Sequence, residues 1–204
     1  MSRGEIAARR HARELALQAL YQWLLHATNT ADATDAAGGA AEARRPTAPA
    51  SLVEQPPQVQ LHAIEELAAP PVDDGATDNG ATSHGATTGE TGKKRPRRLA
   101  VDAEFFAALL QGTVAEAAEL RTLFAPLLSR AVEELSPVEH AVLLLGAYEL
   151  RHGIETPYRV IINEGIELAK KYGSTDGHKF VNGVLDRLAA NLRAGEVAAT
   201  RTGK

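Results

Sequence analysis

The sequence predicts an all-α fold, and three observations support that prediction. Large apolar residues recur at helical spacing in the N-terminal and C-terminal parts of the chain. Helix start and stop signals follow one another in the C-terminal part, and no stretch shows the alternation of a β-strand. The chain has 204 residues, of which 44% are hydrophobic and 4% aromatic, so alanine, leucine and valine must fill its core.

Composition divides the chain into four segments. We expect residues 1–27 to form the first helix, residues 101–193 to complete the same domain, and residues 194–204 to form a flexible tail. Residues 28–100 are rich in Ala, Thr, Gly, Pro and Asp, so they cannot bury enough apolar surface to offset chain entropy. The sequence therefore predicts a long disordered insertion after the first helix.

The first two helices are predicted from apolar spacing and a cap. Three leucines in residues 5–26 form a stripe at i, i+3 and i+7: Leu17, Leu20 and Leu24. Asp102 is a suitable N-cap for a second helix, which we expect to continue through residues 103–120.

The later helices are predicted from their termini. The stretch "SPVE" (136–139) has the residues of a capping box, and the helix that it starts should stop at Gly153. Pro157 begins the next helix, which ends in "KKYG" (170–173), where lysines and a glycine suit a C-terminus. The last helix begins near Asp176.

Composition also excludes several classes of function. The absence of cysteine removes disulfides, thiol nucleophiles and Cys-based zinc sites. The seven histidines form no metal-binding pair, and the chain has no Gly-rich phosphate loop or nucleophile motif. We therefore expect a protein with no cofactor, no metal ion and no catalytic activity. Because no targeting or membrane-spanning run is visible, we expect it to be soluble and cytoplasmic.

The first helix begins with a basic cluster. Arg9, Arg10 and Arg13 can line one exposed side, although the whole chain has a net charge of −4. A solvated helix face is the ordinary interpretation of such a cluster. Positive charge at a helix N-terminus opposes the helix dipole, however, and a bound phosphate would remove that penalty. Arginine also binds phosphate in a forked geometry and stacks on unpaired bases, which suits single-stranded RNA.

The start of the last helix combines an aromatic residue with charges. Phe180 beside Lys179 would form a platform for stacking a base if it is exposed, or part of the core if it is not. Asp176 would cap the helix or accept a hydrogen bond from a base edge. Gly183 is interpreted as a small residue that allows close helix packing.

Three segments of the chain carry a family resemblance: "RRHARELALQALYQW", "LLSRAVEELSPVEHAVLLLGAYEL" and "TPYRVIINEGIELAKKYGSTDGHKFVNGVLD". They resemble the NusB family of transcription antitermination factors. The resemblance implies two small helical bundles that form one RNA-binding domain. It further implies binding to boxA RNA jointly with the small-subunit ribosomal protein that acts as NusE, in a complex that helps RNA polymerase read through terminators.

The resemblance also implies which residues act. By position, it implies eight RNA-binding residues: Arg9, Arg10, Arg13, Tyr21, Glu133, Asp176, Lys179 and Phe180. It places Glu139 near the interface with the ribosomal protein, although the same residue also belongs to the expected capping box.

Two alternative functions stay open, and the chain departs from the family pattern in one respect. The chain could be a protein-docking helical module, or an RNA-binding domain related to those of ribosomal-RNA cytosine methyltransferases. The departure is the segment 28–100, where family members usually have a short loop. Its basic run "KKRPRR" (93–98) would either add phosphate contacts or serve as an inert tether.

Overall fold

The structure is a computed structural model. It describes the backbone of residues 2–35 and 100–202 and the side chains of residues 2–26 and 100–200. Both described ranges are α-helical, with no strand in either, which confirms the predicted all-α class. Their helices are α1 (Arg3–Asp35), α2 (Ala103–Ala115), α3 (Ala117–Phe124), α4 (Pro137–His152), α5 (Tyr158–Tyr172), α6 (Gly177–Leu192) and α7 (Ala194–Thr202). Short 3₁₀ helices at Ala125–Leu127 and Val132–Glu134 connect α3 to α4. Helix α1 continues to Asp35, eight residues beyond the predicted end of the first helix at residue 27, so the predicted boundary between helix and insertion is wrong. Apart from Ala100, the rest of the predicted insertion lies outside the described residues.

Helix α4 is the centre of the fold because it is apolar on all sides. Its residues 141–145 are all buried, and a helix of this kind requires neighbours around its whole circumference. Helices α1, α2 and α3 pack against it as one group, and α5 and α6 pack against it as another. This arrangement confirms the prediction of two small helical bundles, which here share α4 and one core.

Two glycines allow α6 to pack closely against its neighbours. A Cβ at Gly146 would lie 2.7 Å from Cδ2 of Leu185, and one at Gly165 would lie 2.9 Å from Cδ1 of the same leucine. Gly183 has no such role, because no atom lies within 4 Å of the position that its Cβ would occupy. The expectation that Gly183 allows close packing is therefore wrong.

The segment predicted as one helix over residues 103–120 is two helices. The backbone at Glu116 leaves helical geometry, with φ −99° and ψ 8°, and its N–H bonds back to the carbonyl of Gly112. The break turns α3 so that Ala117, Leu120 and Phe124 are buried. Tertiary packing of α3 on α4 thus overrides the helix-favouring composition at the junction.

The capping box was predicted correctly. The hydroxyl of Ser136 accepts from the backbone N–H of Glu139 at 3.2 Å, and the carboxylate of Glu139 accepts from the N–H of Ser136 at 3.1 Å. Helix α4 ends before Gly153 and α5 before Gly173, as their sequences indicate.

The segment expected to be a flexible tail contains helix α7, and side chains from this region tie it to the domain. The guanidinium of Arg193 donates to the carbonyl oxygens of Leu150 at 2.7 Å and Glu149 at 3.1 Å, at the end of α4. The carboxylate of Glu196 accepts from the N–H of Tyr158 at 3.0 Å, at the start of α5. The carbonyl of Leu150 and the N–H of Tyr158 are backbone groups that a helix end leaves unpaired. The carbonyl of Glu149, in contrast, also accepts from the N–H of Gly153 at 2.8 Å.

Candidate nucleic-acid interface

Arg13 does not lie on the exposed basic side where its spacing places it. Its side chain is buried, with 5% exposure, and its fork holds the equally buried carboxylate of Glu149. The Nη2 atom lies 2.6 Å from Oε2 and Nε lies 2.8 Å from Oε1, while the guanidinium stacks over Phe105 at 4.9 Å. A buried charge requires such a partner, so Arg13 holds α1 to α4.

Arg10 is the exposed arginine of the cluster. Its side chain is 55% exposed, and its Nη2 lies 2.7 Å from Oε1 of Glu164 on α5. The hydrogen bond and the charge of Glu164 raise the pKa of Arg10 above its ordinary value. Arg9 is less exposed, because its Nε lies 3.2 Å from Oδ2 of Asp102 and its guanidinium lies over Phe105.

A groove of about 420 Å³ runs from Arg10 along the line between α1 and α5. We call it the α1–α5 groove, and its lining residues are Arg10, Glu14, Glu164, Glu167, Leu168, Lys170 and Lys171. Arg10 pairs with Glu164, and Glu14 lies 2.9 Å from Nζ of Lys171, so the two helices run in the same direction. The groove therefore leads from the basic start of α1 towards the end of α5.

Tyr21 continues the face of α1 that lines this groove. It lies about 16 Å further along the helix than Arg10 and within about 20° of the same face. Its side chain is half-buried.

The groove leads towards the second predicted cluster, at the start of α6. Helix α5 ends at Tyr172, and α6 begins at Gly177 after a short turn. The exposed Asp176 forms no side-chain cap to α6, contrary to one of its two predicted roles, and instead pairs with Nζ of Lys179 at 2.8 Å. Phe180 is half-buried, so part of its ring is accessible at this turn.

Arg130 belongs to this cluster, although the sequence did not indicate it. Its guanidinium lies 4.5 Å from the centre of the Phe180 ring, and its Nη2 lies 2.8 Å from Oε2 of Glu139. Glu139 is only 6% exposed and also accepts from Ser136, so its carboxylate is satisfied within the chain. That geometry gives no support to the expected contact between Glu139 and the ribosomal protein.

Glu133 lies apart from these contacts, exposed on the second 3₁₀ helix. Its charge acts on Arg121, whose pKa is lowered by burial and partly restored by Glu133. Within the described ranges, no group of three His, Cys, Asp or Glu side chains could hold a metal ion. Among the helices that the structure describes, none is long and apolar enough to cross a bilayer.

Comparison with known protein families identifies the family to which the chain belongs. The sequence model described as "NusB family" matches residues 59–190, more than half of the chain. The chain belongs to the NusB family. A transcription antitermination protein NusB from Azoarcus sp. is 43% identical over 97% of this chain and 92% of its own length. The protein of the same name from Aromatoleum aromaticum is 42% identical over 96% of this chain and 97% of its own length.

Other members of the NusB family match shorter parts of the chain. A transcription antitermination protein NusB from Bordetella pertussis is 57% identical over 48% of this chain and 64% of its own length. A solved structure of T. maritima NusB is 33% identical, covers 44% of this chain and 66% of its own, and has a TM-score of 0.40.

Three residues of the candidate interface were not predicted from the sequence: Arg130, Lys170 and Lys171. The position of the two lysines at the end of α5 follows from the sequence, but Glu14, which pairs with Lys171 across the groove, is remote in the chain, and Lys170 pairs with Glu167 on its own helix. Glu164, Glu167 and Lys171 are spaced at i, i+3 and i+7, and this spacing could have shown that they share one face. Arg130 precedes the capping box without any periodic pattern, so no sequence signal identifies it.

Proposed function

We propose that the chain is a transcription antitermination factor that binds single-stranded boxA RNA jointly with the small-subunit ribosomal protein acting as NusE. It does so without catalysis, on nascent transcripts in the cytoplasm, as part of the RNA polymerase complex that reads through terminators. The α1–α5 groove is the observation that carries this proposal. It runs from an exposed arginine at the start of α1 to the lysines at the end of α5, and the aromatic and charged residues at the start of α6 follow these lysines after a short turn.

The charges of the groove support joint binding over binding of RNA alone. Its three cations, Arg10, Lys170 and Lys171, are matched by three carboxylates. A phosphate that binds Arg10 has to compete with Glu164, which already occupies the forked donor at 2.7 Å. Electrostatic gain per phosphate is therefore small, and a partner protein that adds contacts raises the affinity of the complex.

The chemistry along the groove suits an unpaired strand. Arginine and lysine bind phosphates at its edge, and beyond the turn that follows α5, Phe180 with Lys179 offers a stacking surface for a base. Burial of Arg13 removes one of the three arginines from direct contact, so we assign Arg13 to the fold and the phosphate contacts to Arg10, Arg9 and the groove lysines.

Fluorescence anisotropy with a labelled boxA RNA tests the proposal, with and without the ribosomal protein. We expect the partner to tighten binding, and log K to fall against log salt with a slope of roughly −2 to −3 for three to four phosphate contacts. The absence of any partner-dependent gain, or a flat salt response, would refute the proposal.

Variants separate RNA binding from a purely protein-docking role. Arg10→Ala and the pair Lys170→Ala with Lys171→Ala should weaken RNA binding at low salt and make the slope less steep by about 0.7 for each phosphate that is no longer neutralised. Arg151→Ala is the matched control, because Arg151 is also part-exposed and paired with carboxylates, Glu116 and Glu119, but lies on the α3 side of α4. A purely protein-docking module does not use these residues to bind RNA, so none of these substitutions would change its RNA binding.

A further inference from the structure

Arg130 connects three separate parts of the second cluster. It lies in the connection between the two 3₁₀ helices, outside any regular helix. Its guanidinium contacts Glu139 of α4 at 2.8 Å and the ring of Phe180 of α6 at 4.5 Å from the centre. Its side chain is 37% exposed, so solvent reaches one side of it.

The carboxylate of Glu139 is a fixed anchor for Arg130. Oε2 accepts from the backbone N–H of Ser136 at 3.1 Å and from its hydroxyl at 2.9 Å, in addition to Arg130. On the opposite side, a Cβ at Gly177 would lie 3.2 Å from Oε1, so the start of α6 passes close to this carboxylate. Glu139 therefore has one position available, and Arg130 is held with it.

A guanidinium held over Phe180 fixes how that ring is presented. The cation covers one face of the ring, and a planar guanidinium on an aromatic face is favourable by cation–π attraction. Phe180 is half-buried and also packs against the hydrophobic core, so contacts with the core and with Arg130 restrict the orientation of its ring. A base stacks more favourably on a ring that is already held in place, because ordering a mobile ring on binding costs conformational entropy.

We propose that Arg130 is a positioning residue for RNA, which holds Phe180 ready to stack an unpaired base, and that Glu139 acts on RNA binding through Arg130. This inference rests on the proposed function, since it concerns the same RNA surface. It gives Glu139 a role different from contact with the ribosomal protein. Because the guanidinium is engaged by Glu139 and Phe180, Arg130 contributes to base stacking and makes no phosphate contact.

Binding of boxA RNA to three variants tests the inference. Arg130→Gln should weaken binding about fivefold or more, within the range for loss of one stacked base. Arg130→Lys keeps the charge but has no planar fork, so it should also bind more weakly than the wild-type protein. Glu139→Gln keeps a capping-box side chain and should cause a similar loss. The double variant Arg130→Gln/Glu139→Gln should lose little more than either single variant, because both act on one contact.

The salt dependence separates positioning from phosphate binding. The slope of log K against log salt should be the same for Arg130→Gln and the wild-type protein, whereas Arg10→Ala should make it less steep by about 0.7. RNAs with one abasic position each provide the second measurement. The effect of Arg130→Gln should disappear at one abasic position, where the base that stacks on Phe180 is missing.

Four outcomes would overturn the inference. Wild-type affinity in Arg130→Gln would do so, as would a slope that changes as it does in Arg10→Ala, or a loss that persists at every abasic position. If the wild-type chain binds no boxA RNA, the proposed function and this inference both fail. If the wild-type chain binds and Arg130→Gln binds equally well, only this inference fails. Arg130→Lys keeps the test valid if Arg130→Gln melts at a lower temperature by circular dichroism.

Discussion

Arg10 and Arg13 belong to one basic cluster but differ in their burial and in the contacts that they make. Arg13 is buried against Glu149, whereas Arg10 is more than half exposed on Glu164. The sequence shows the basic cluster but not this division, because the partners lie on α4 and α5, far along the chain. Burial of both carboxylates is a tertiary property that no local pattern reports.

Arg13→Ala should therefore destabilise the fold far more than Arg10→Ala. Loss of Arg13 leaves the buried charge of Glu149 without a partner, which costs about 3–5 kcal/mol of unfolding free energy. Loss of Arg10 should cost less, about 1 kcal/mol, because its guanidinium is more than half exposed and Glu164 lines a groove that water enters once that side chain is removed. Urea denaturation measures both. The double variant Arg13→Met/Glu149→Leu, which removes both charges, should recover most of the loss. Equal stability of Arg13→Ala and Arg10→Ala would contradict the assignment of Arg13 to the fold.

His140 predicts a pH dependence of stability. Its burial, and secondarily the charge of Arg121, lower its pKa to about 4, and its ring Nε2 accepts from Nε of Arg121 at 3.0 Å. An unfolded histidine has a pKa of about 6.5, so between these values the unfolded chain binds a proton that the folded chain does not. Stability should fall as pH drops from about 6.5 towards 4, by about 2–3 kcal/mol from this residue.

Urea titrations at several pH values measure this contribution of His140. His140→Gln is the control, because its amide oxygen can accept from Arg121 but does not titrate. Its stability should fall less than that of the wild-type protein over the same interval. Parallel stability curves for the two proteins would show that His140 makes no contribution.

Features of the helices that depend on neighbouring residues were predicted correctly, and features that depend on contacts remote in the sequence were missed. The capping box at Ser136 and the ends of α4 and α5 depend on neighbouring residues, so the sequence was sufficient for them. The break at Glu116 and helix α7 depend on contacts with α4 and α5, so composition alone suggested a continuous helix and a flexible tail. For the candidate site, the two ends were predicted, but the groove between them required the packing of α1 on α5.

Arg193 is the residue through which the C-terminal region should stabilise the domain. It has little exposed surface, and its guanidinium donates to the carbonyl oxygens of Leu150 and Glu149 at the end of α4, of which that of Leu150 has no backbone partner in a further helical turn. Arg193→Ala should reduce the unfolding free energy by about 2–3 kcal/mol, as for loss of hydrogen bonds from a charged donor. Chemical denaturation measures the change. Arg193→Lys keeps the charge without the fork and should recover only part of the loss. A loss below about 0.5 kcal/mol in Arg193→Ala would mean that the hydrogen bonds of Arg193 do not stabilise the domain.

The whole molecule carries a net negative charge, so the proposed RNA surface has to be local. Contributions come from α1, α5, α6 and the connection that contains Arg130, and carboxylates accompany most of the cations. Such a balanced surface favours recognition by geometry and stacking over general attraction to polyanions. Additional positive charge near the start of α1 would therefore have a measurable effect on affinity.

The basic run "KKRPRR" (93–98), which lies outside the described residues, is the candidate in the sequence for that charge. The run ends two residues before Ala100, and the nearby Asp102 is paired with Arg9 at 3.2 Å. Five bases are replaced by glutamine in the test variant: Lys93, Lys94, Arg95, Arg97 and Arg98. We expect boxA RNA to bind this variant about three- to tenfold more weakly at 50 mM salt, with a less steep salt slope.

The difference between this variant and the wild-type protein should nearly vanish by about 0.5 M salt, because charges near the surface are screened over a few ångströms there. A variant in which the same six residues are shuffled is the matched control. It keeps all five charges and should bind like the wild-type protein, since phosphate attraction does not depend on their order. If the glutamine variant binds as tightly as the wild-type protein at low salt, the run is a tether, and the RNA surface is limited to the helical domain.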